Sequence, residues 1–167
     1  MISQPHIQLM ARYNRWQNES LYGAAEKLPD SERRRERGAF FGSIHGTLNH
    51  ILWADQLWLQ RFAGTPAPAA TSIKASPSMI DGWDDLKRQR ITFDQTITKW
   101  AESVDPAWLA SDLTWFSATM NREITKPAWL LVTHMFNHQT HHRGQVHCML
   151  TQSGIKPDVT DIPVMAG

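Results

Sequence analysis

Apolar residues recur at spacings of three and four along four long stretches of the chain, which predicts four amphipathic α-helices. The first predicted helix covers about residues 4–27 and the second about residues 42–62. The third covers about residues 79–103, and the fourth runs from near Pro127 to about Gln152. Four long helices with little strand content predict an all-α protein, folded as a four-helix bundle.

The second and third predicted helices are joined by "AGTPAPAATSIKASPS", residues 63–78, which is rich in Pro, Ala and Ser and has no helical or strand period. This composition predicts a long surface connection, so a simple up-down-up-down order is not required. At its end, Ser78 is a candidate N-cap of the third helix and Asp81 a favourable charge in the first turn.

The segment before the fourth helix lacks the helical period and contains two β-forming stretches. Pro106 allows a short turn of helix. The stretches "DLTWF" at 112–116 and "NREIT" at 121–125 are rich in β-forming residues and flank "SAT" at 117–119. This pattern predicts a short β-hairpin immediately before the last helix.

Length and composition indicate an ordinary globular protein. The 167 residues predict a single domain over 1–167, and 41% hydrophobic against 20% charged residues is a typical balance. Eight Trp residues indicate an aromatic core or pocket. The net charge of +1 offers no general attraction for nucleic acid, and the run "ERRRER" at 32–37 is interpreted as a solvated loop.

The chain has no sign of a membrane or export segment. No apolar run approaches the roughly 18 residues of a transmembrane helix, and the first residues lack the pattern of a signal peptide. The single cysteine, Cys148, cannot form an internal disulfide, which favours a cytoplasmic protein. We interpret Cys148 as a small buried apolar residue rather than a nucleophile.

The stretch "NHQTHHRGQVH", residues 137–147, holds four of the eight histidines. In a helix, His138 and His142 lie on one face, within an apolar stripe that should face the bundle interior. His147 falls on the far side of the helix and is expected to be exposed, and His141 lies at one edge of the stripe. His134 lies one turn before His138, where it is either a metal ligand or a group that supports one.

Two imidazoles four residues apart on a helix can turn towards one metal ion, although two hydrogen-bonded histidines at the core edge would show the same spacing. A third ligand should come from another helix, and His50 in "LNHILWAD" lies on a face that can point inward. His45 lies on the opposite side of that helix and Asp55 is rotated away. Three neutral nitrogen ligands leave one position open, as catalytic zinc sites do.

The residues next to the candidate ligands say less about the function of the site. We interpret Arg143 as a surface cation, and we expect Gly144 to allow close packing against another helix. The patterns of helical zinc proteases, di-iron bundles, dinucleotide sites, P-loops and nucleophile elbows are absent. Candidate hydrogen-bond partners for the ligand imidazoles cannot be separated by sequence: Asn49, Asn137, Gln139 and Gln145.

Three segments closely resemble the DinB-like superfamily of small bacterial proteins, named for a DNA-damage-inducible member. They are "YNRW" at 13–16, "GAFFGSIHGTLNHILWADQLWLQRFAG" at 38–64 and "HMFNHQTHHRGQVHCML" at 134–150. The phrase NHxxHHRGQ, together with "NHI" on the second helix, is specific. The resemblance extends over nearly the whole chain.

The resemblance implies a four-helix bundle that holds a divalent metal ion through three histidines. Carried over by motif, these are His50, His138 and His142, the same set that the helical geometry favours. It also implies a homodimer. Some relatives are metal-dependent transferases or isomerases that use a low-molecular-weight thiol such as bacillithiol or mycothiol.

Three functions are therefore considered. The first is a metalloenzyme with zinc or nickel at an open three-histidine site, acting on an unidentified small molecule as a thiol-dependent transferase or a related hydrolase. The alternative is a non-catalytic metal-binding or stress-related bundle protein. DNA binding is suggested only by the family name, and the balanced charge argues against it. The sequence assigns no catalytic or thiol-binding residue.

Overall fold

The computed structural model describes residues 2–117 and 120–165, which form a bundle of four long helices with a small hairpin at one side. In chain order the helices are α1 (Gln4–Glu26), α2 (Asp30–Arg34), α3 (Ile44–Ala63), α4 (Trp83–Ser103), α5 (Pro106–Leu109) and α6 (Ala128–Gln152). Strands β1 (Asp112–Ser117) and β2 (Arg122–Pro127) pair antiparallel between α5 and α6. The predicted all-α bundle, its short turn at Pro106 and its hairpin are confirmed, while the tip of "SAT" at 118–119 lies outside the described residues.

The four long helices enclose the core as a ring. α1 packs against α4 and α6, and α3 packs against the same two helices. Ile44 and Trp83, near the starts of α3 and α4, share one apolar cluster, whereas Phe62 and Trp100, towards their ends, share the other. α3 and α4 therefore run parallel, and the connection between them must return along the bundle for the length of a 20-residue helix, about 30 Å.

This crossover, residues 64–82, extends further along the chain than the sequence predicts. Ser78 lies in a 3-10 turn, Ser76–Ser78, and α4 begins only after Gly82, so the predicted N-cap at Ser78 is wrong. The reason is a tertiary contact. The buried Asn49 side chain accepts a hydrogen bond from Ile80 N at 2.9 Å and donates one to Ile80 O at 3.1 Å, which holds that backbone outside a helix.

The two apolar clusters are separated by a layer of buried polar side chains, here called the polar layer. Its members come from all four long helices: Asn14, Asn18, Asp55, Arg90, Asp94, Gln139 and Arg143. A buried charge is tolerated only when it is paired and hydrogen-bonded. The bonds of this layer accordingly run both within α4 and between the long helices.

Arg90 is the centre of the polar layer. Its guanidinium contacts Asp55 at 2.6 Å and Asp94 at 2.8 Å, and all three side chains are almost completely buried. Gln139 of α6 donates to Asp55 at 2.7 Å, and Asn18 of α1 donates to Asp94 at 3.0 Å. The layer thus connects α4 directly to α1 and α3 and, through Asp55, to α6.

Arg143 is the second cation of the polar layer, so the interpretation of this residue as a surface cation is wrong. It is 5% exposed and donates a hydrogen bond to the amide oxygen of Asn14. Position 143 follows Gln139 by one helical turn, so both side chains point to the centre of the bundle.

Several expectations for other side chains are also corrected. Gly144 packs against nothing, since a Cβ at this position would meet no heavy atom within 4 Å. Cys148 is exposed and His147 is half-buried. The run at 32–37 is a loop only in part, because Arg33 belongs to α2, is buried and lies 4.6 Å above the ring of Trp83. Among the described residues, no helix is long and apolar enough to cross a membrane.

Candidate metal centre

Three imidazoles from two helices converge on one side of the bundle. His50 comes from α3, and His138 and His142 come from successive turns of α6. One ring nitrogen from each lies within 4.8 Å of the other two. The ring centroids are 5.1 Å apart for His50 and His138, 5.0 Å for His50 and His142, and 4.4 Å for the pair on α6. The packing of α3 on α6 thus brings together the three residues that the sequence selects.

The spacing of the nitrogens fits a common ion. The Nε2 atoms of His50 and His138 are 3.2 Å apart. Two imidazole nitrogens at about 2.0–2.1 Å from one tetrahedral zinc ion are separated by about 3.3 Å. The donor set is also suitable, because neutral imidazole is a common ligand of zinc, nickel, copper and iron.

The tautomer of His50 is fixed by a buried chain of hydrogen bonds. Its Nδ1 lies 2.8 Å from the hydroxyl oxygen of Ser76, and that hydroxyl donates its own proton to the carbonyl of Ile73 at 2.7 Å. The Ser76 oxygen must therefore accept from His50, which places the ring proton on Nδ1. The Nε2 lone pair is left free and faces the other two histidines.

His142 is oriented in the same way by its own helix. Its Nδ1 lies 2.8 Å from Oε1 of Gln145, an amide oxygen that can only accept. Of the four partner candidates, Gln145 is thus the one that contacts a ligand. Gln139 and Asn49 are used elsewhere in the core, and Asn137 is exposed. Hydrogen bonds of this kind set the direction of a ligand and raise its basicity.

The site holds its histidines in the neutral form. Burial lowers the pKa of His50 from 6.5 to about 3, and the neighbouring His138 and His142 make a smaller contribution in the same direction. Burial and the nearby histidines also lower the pKa of His138 to about 3, and burial lowers the pKa of His142. Neutral imidazole is the form that binds a metal ion, so the site is ready for metal at physiological pH.

We expect the metal-free protein to lose stability as the pH falls from 6.5 towards 3, the interval between the ordinary and the folded pKa of His50 and His138. Within it the unfolded chain binds protons that the folded chain does not, so the free energy of unfolding decreases as the pH decreases. Thermal unfolding in the presence of a chelator, above and within this interval, measures the effect. The His50→Gln variant should show a shallower dependence, and an unchanged slope would contradict the prediction.

Ser76→Ala should lower metal affinity by about 10- to 100-fold, the usual cost of losing a group that orients a ligand. The variant removes the acceptor that fixes the His50 tautomer, and competition with a chelating dye would measure the loss. Ser78→Ala is the matched control, because Ser78 lies in the same turn but is exposed. Equal affinities for the two variants would argue against the role of Ser76.

Aromatic rings surround the centre. Phe41 stacks on the ring of His50 at 3.6 Å between centroids and lies 5.2 Å from His142. The ring of Trp53 lies 5.6 Å from that of His50, and its Nε1 donates to the carbonyl of Ala70 in the crossover at 2.7 Å. These contacts cover the ligand rings and limit the access of water to their faces.

The remaining candidates lie outside the group. His45 is buried and contacts Ile80 O at 3.0 Å, and Asp55 belongs to the polar layer. His134 is exposed, with its ring 5.8 Å from His138 and 5.3 Å from Trp58, and His141 is exposed beside His142. Within residues 2–117 and 120–165, no other His, Cys, Asp or Glu joins the three.

A four-helix bundle with three converging imidazoles on two of its helices defines a class of candidate metal-binding bundle proteins. The sequence model of the DinB family matches residues 2–166, and the chain belongs to this family. The protein named "Protein DinB" from Bacillus subtilis (strain 168) is 26% identical over 162 residues, covering 89% of this chain and 87% of that relative. The crystal structure of a DinB-like protein from Bacillus cereus ATCC 10987 has the same fold, with a TM-score of 0.63 at 17% identity, covering 86% of this chain and 90% of that one.

Proposed function

We propose that this DinB family member is a metal-dependent enzyme whose divalent ion, zinc or nickel, is held by His50, His138 and His142. The observation that carries the proposal is the convergence of the three rings, with the Nδ1 atoms of His50 and His142 already engaged by Ser76 and Gln145. Imidazoles whose tautomers are fixed in this way are characteristic of built metal sites.

The number of ligands supports a catalytic rather than a structural ion. Structural zinc sites use four protein ligands, whereas catalytic sites use three and keep one position open. The group here has three members in the described part of the chain. The two apolar clusters and the polar layer join the four long helices through direct contacts, so we expect the bundle to fold without the ion.

A divalent ion in this site would supply Lewis-acid chemistry, which lowers the pKa of a nucleophile bound at the open position. The chain's own residues have separate tasks. Ser76 and Gln145 orient the ligand rings, while Phe41 and Trp53 cover them. His134 lies beside His138, and Trp58 packs against His134, so the two rings form an aromatic wall suited to an apolar part of a substrate.

The reaction class that we favour is transfer to a low-molecular-weight thiol, with a related hydrolysis as the second choice. In the transfer, the sulfur forms a bond to an electrophilic carbon, the leaving group departs with the bonding electron pair, and the thiol proton is released. This part of the proposal rests on the resemblance to thiol-dependent relatives.

The test combines metal analysis with turnover. Elemental analysis of the purified protein should find one divalent ion per chain, and a chelator should remove it. The metal-loaded protein is then assayed with bacillithiol or mycothiol and an aromatic halide that releases halide ion on substitution. Turnover should require both the ion and the thiol. Failure across a broad panel of thiols and electrophiles, with the ion bound, would count against the transferase and favour the non-catalytic alternative.

We also propose a homodimer, as the resemblance implies. Sedimentation of the purified chain would test this assembly independently of the metal. A species with twice the mass of the 19.1 kDa chain is the expected result.

A further inference from the structure

A small pocket lies between α1 and α6, away from the three histidines. Its volume is about 280 Å³, and its walls include Tyr13 and Gln17 of α1 and Thr140, Arg143, Gly144 and His147 of α6. The chain near the C-terminus forms one edge, because Tyr13 donates to the carbonyl of Thr160 at 2.8 Å and Gln17 donates to that of Val159 at 3.0 Å. None of the metal-site residues lines this pocket.

Gly144 borders this pocket without contributing a side chain to its wall. A glycine in the interior of a helix costs up to about 1 kcal/mol relative to alanine. Close packing usually explains such a glycine, yet here a Cβ would meet no heavy atom within 4 Å. No helix contact accounts for this glycine, and a longer side chain at position 144 would reach into the pocket that it borders.

Arg143 gives the pocket a positive wall. It is 5% exposed, and its hydrogen bonds go to neutral groups, the amide oxygen of Asn14 and the hydroxyl of Thr140 at 3.4 Å. Both carboxylates of the polar layer are bound directly by Arg90. No carboxylate among the described residues lies within salt-bridge distance of Arg143. A guanidinium is not deprotonated in proteins, so the group is a cation at neutral pH.

The other walls carry no negative charge and are partly apolar. Thr140 and His147 are polar neighbours on α6, and Leu21 and the ring of Tyr13 face them from α1. The guanidinium of Arg143 lies 5.6 Å from the centroid of the Tyr13 ring. A guanidinium with free hydrogen-bonding capacity binds a carboxylate in the plane of its fork, and an adjacent aromatic ring can stack on a flat apolar group.

We propose that this pocket is a second binding site, which takes a small organic carboxylate with its charged end on Arg143 and its apolar end between Tyr13 and Gly144. The site is independent of the metal centre. It would remain a binding site whether or not the chain is an enzyme.

Sodium benzoate is the probe, because it joins a carboxylate to a flat ring that fits a pocket of this size, and benzamide is the neutral comparison. The full chain is titrated while the backbone amide of Gly144 and the Nε–H of Arg143 are followed by NMR. Benzoate should shift these two signals in a saturable way and bind at least about tenfold more tightly than benzamide, the equivalent of one charge-assisted hydrogen bond. Shifts confined to His50 and His142 would mean binding at the metal centre and would overturn the proposal.

Gly144→Leu is the decisive variant, because it fills the pocket from an exposed helix position and replaces a poor helix former by a good one. It should abolish benzoate binding while circular dichroism and metal content stay as in the unmodified chain. Gly23→Leu is the matched control, since Gly23 is also an exposed glycine inside a helix with no heavy atom within 4 Å of a Cβ, and it does not line this pocket.

Arg143→Met should weaken binding at least about tenfold where the fold survives. Equal benzoate affinity in Gly144→Leu and Gly23→Leu, or equal affinities for benzoate and benzamide, would refute the site.

Discussion

His142→Ala should abolish stoichiometric metal binding while the bundle stays folded. The loss should exceed the roughly 10- to 100-fold cost of removing a group that only orients a ligand, because a coordinate bond itself is lost. The fold should survive because His142 lies at the edge of the core, 7% exposed, and its side-chain hydrogen bond goes to Gln145 one turn away. Elemental analysis and chelator competition measure the metal, and circular dichroism measures the fold.

His141→Ala is the matched control for this experiment. His141 is adjacent in sequence and its ring lies 4.9 Å from that of His142, but it is exposed and is not one of the three converging residues. The His141→Ala variant should bind one ion with nearly unchanged affinity. A similar loss in both variants would show that the metal is held by a histidine patch and not by the proposed set. His134→Ala provides the same comparison for the other neighbouring imidazole.

Arg90→Met should destabilise the protein by about 3–5 kcal/mol, the usual cost of breaking a buried ion pair by removing one partner. Met replaces the aliphatic part of the Arg side chain, so the loss measures mainly the missing guanidinium with its charge and hydrogen bonds. Asp55 and Asp94 would remain buried without the guanidinium that contacts both of them. Burial already raises the pKa of Asp55, and the attraction of Arg90 opposes that rise. Chemical denaturation followed by tryptophan fluorescence measures the difference.

Arg88→Met is the control on the same helix. Arg88 is 74% exposed and pairs with Asp85 at the surface, so its loss should change stability by no more than about 0.5 kcal/mol. The double variant Arg90→Met with Asp94→Asn should be more stable than the sum of the two single changes predicts, because one uncompensated charge is removed. Additive effects would indicate that Arg90 acts mainly through packing.

The sequence predicts the bundle and the three converging histidines because both depend on helical periodicity. His138 and His142 are related by one helical turn, and the apolar stripe around them fixes which way they point. His50 is found because its face of the second long helix also carries small and apolar residues. The same reasoning places Asp55 away from the site, as the structure does.

Ser76 is missed because it lies in a connection without periodicity. Its position beside His50 depends on the return of the crossover along the bundle, which is a tertiary property. The polar layer is missed for a different reason. Arg90 and Asp94 are four residues apart, a spacing that is equally common on solvent-exposed helix faces, and their sequence contains no sign of burial. Asn14, a polar residue within the apolar stripe of α1, is a signal of the layer that the periodicity does offer.

The close approach of the Nε2 atoms of His50 and His138 brings together residues 88 positions apart. A growing polypeptide therefore carries a single ligand until the last long helix has been synthesised and has packed against α3. Under the proposed function, binding of the ion by all three histidines would follow the synthesis of α6, and any form of the protein truncated before α6 would contain His50 alone of the three. Loading with metal would then be a late step in the maturation of this protein, and it would report that α3 and α6 have packed together.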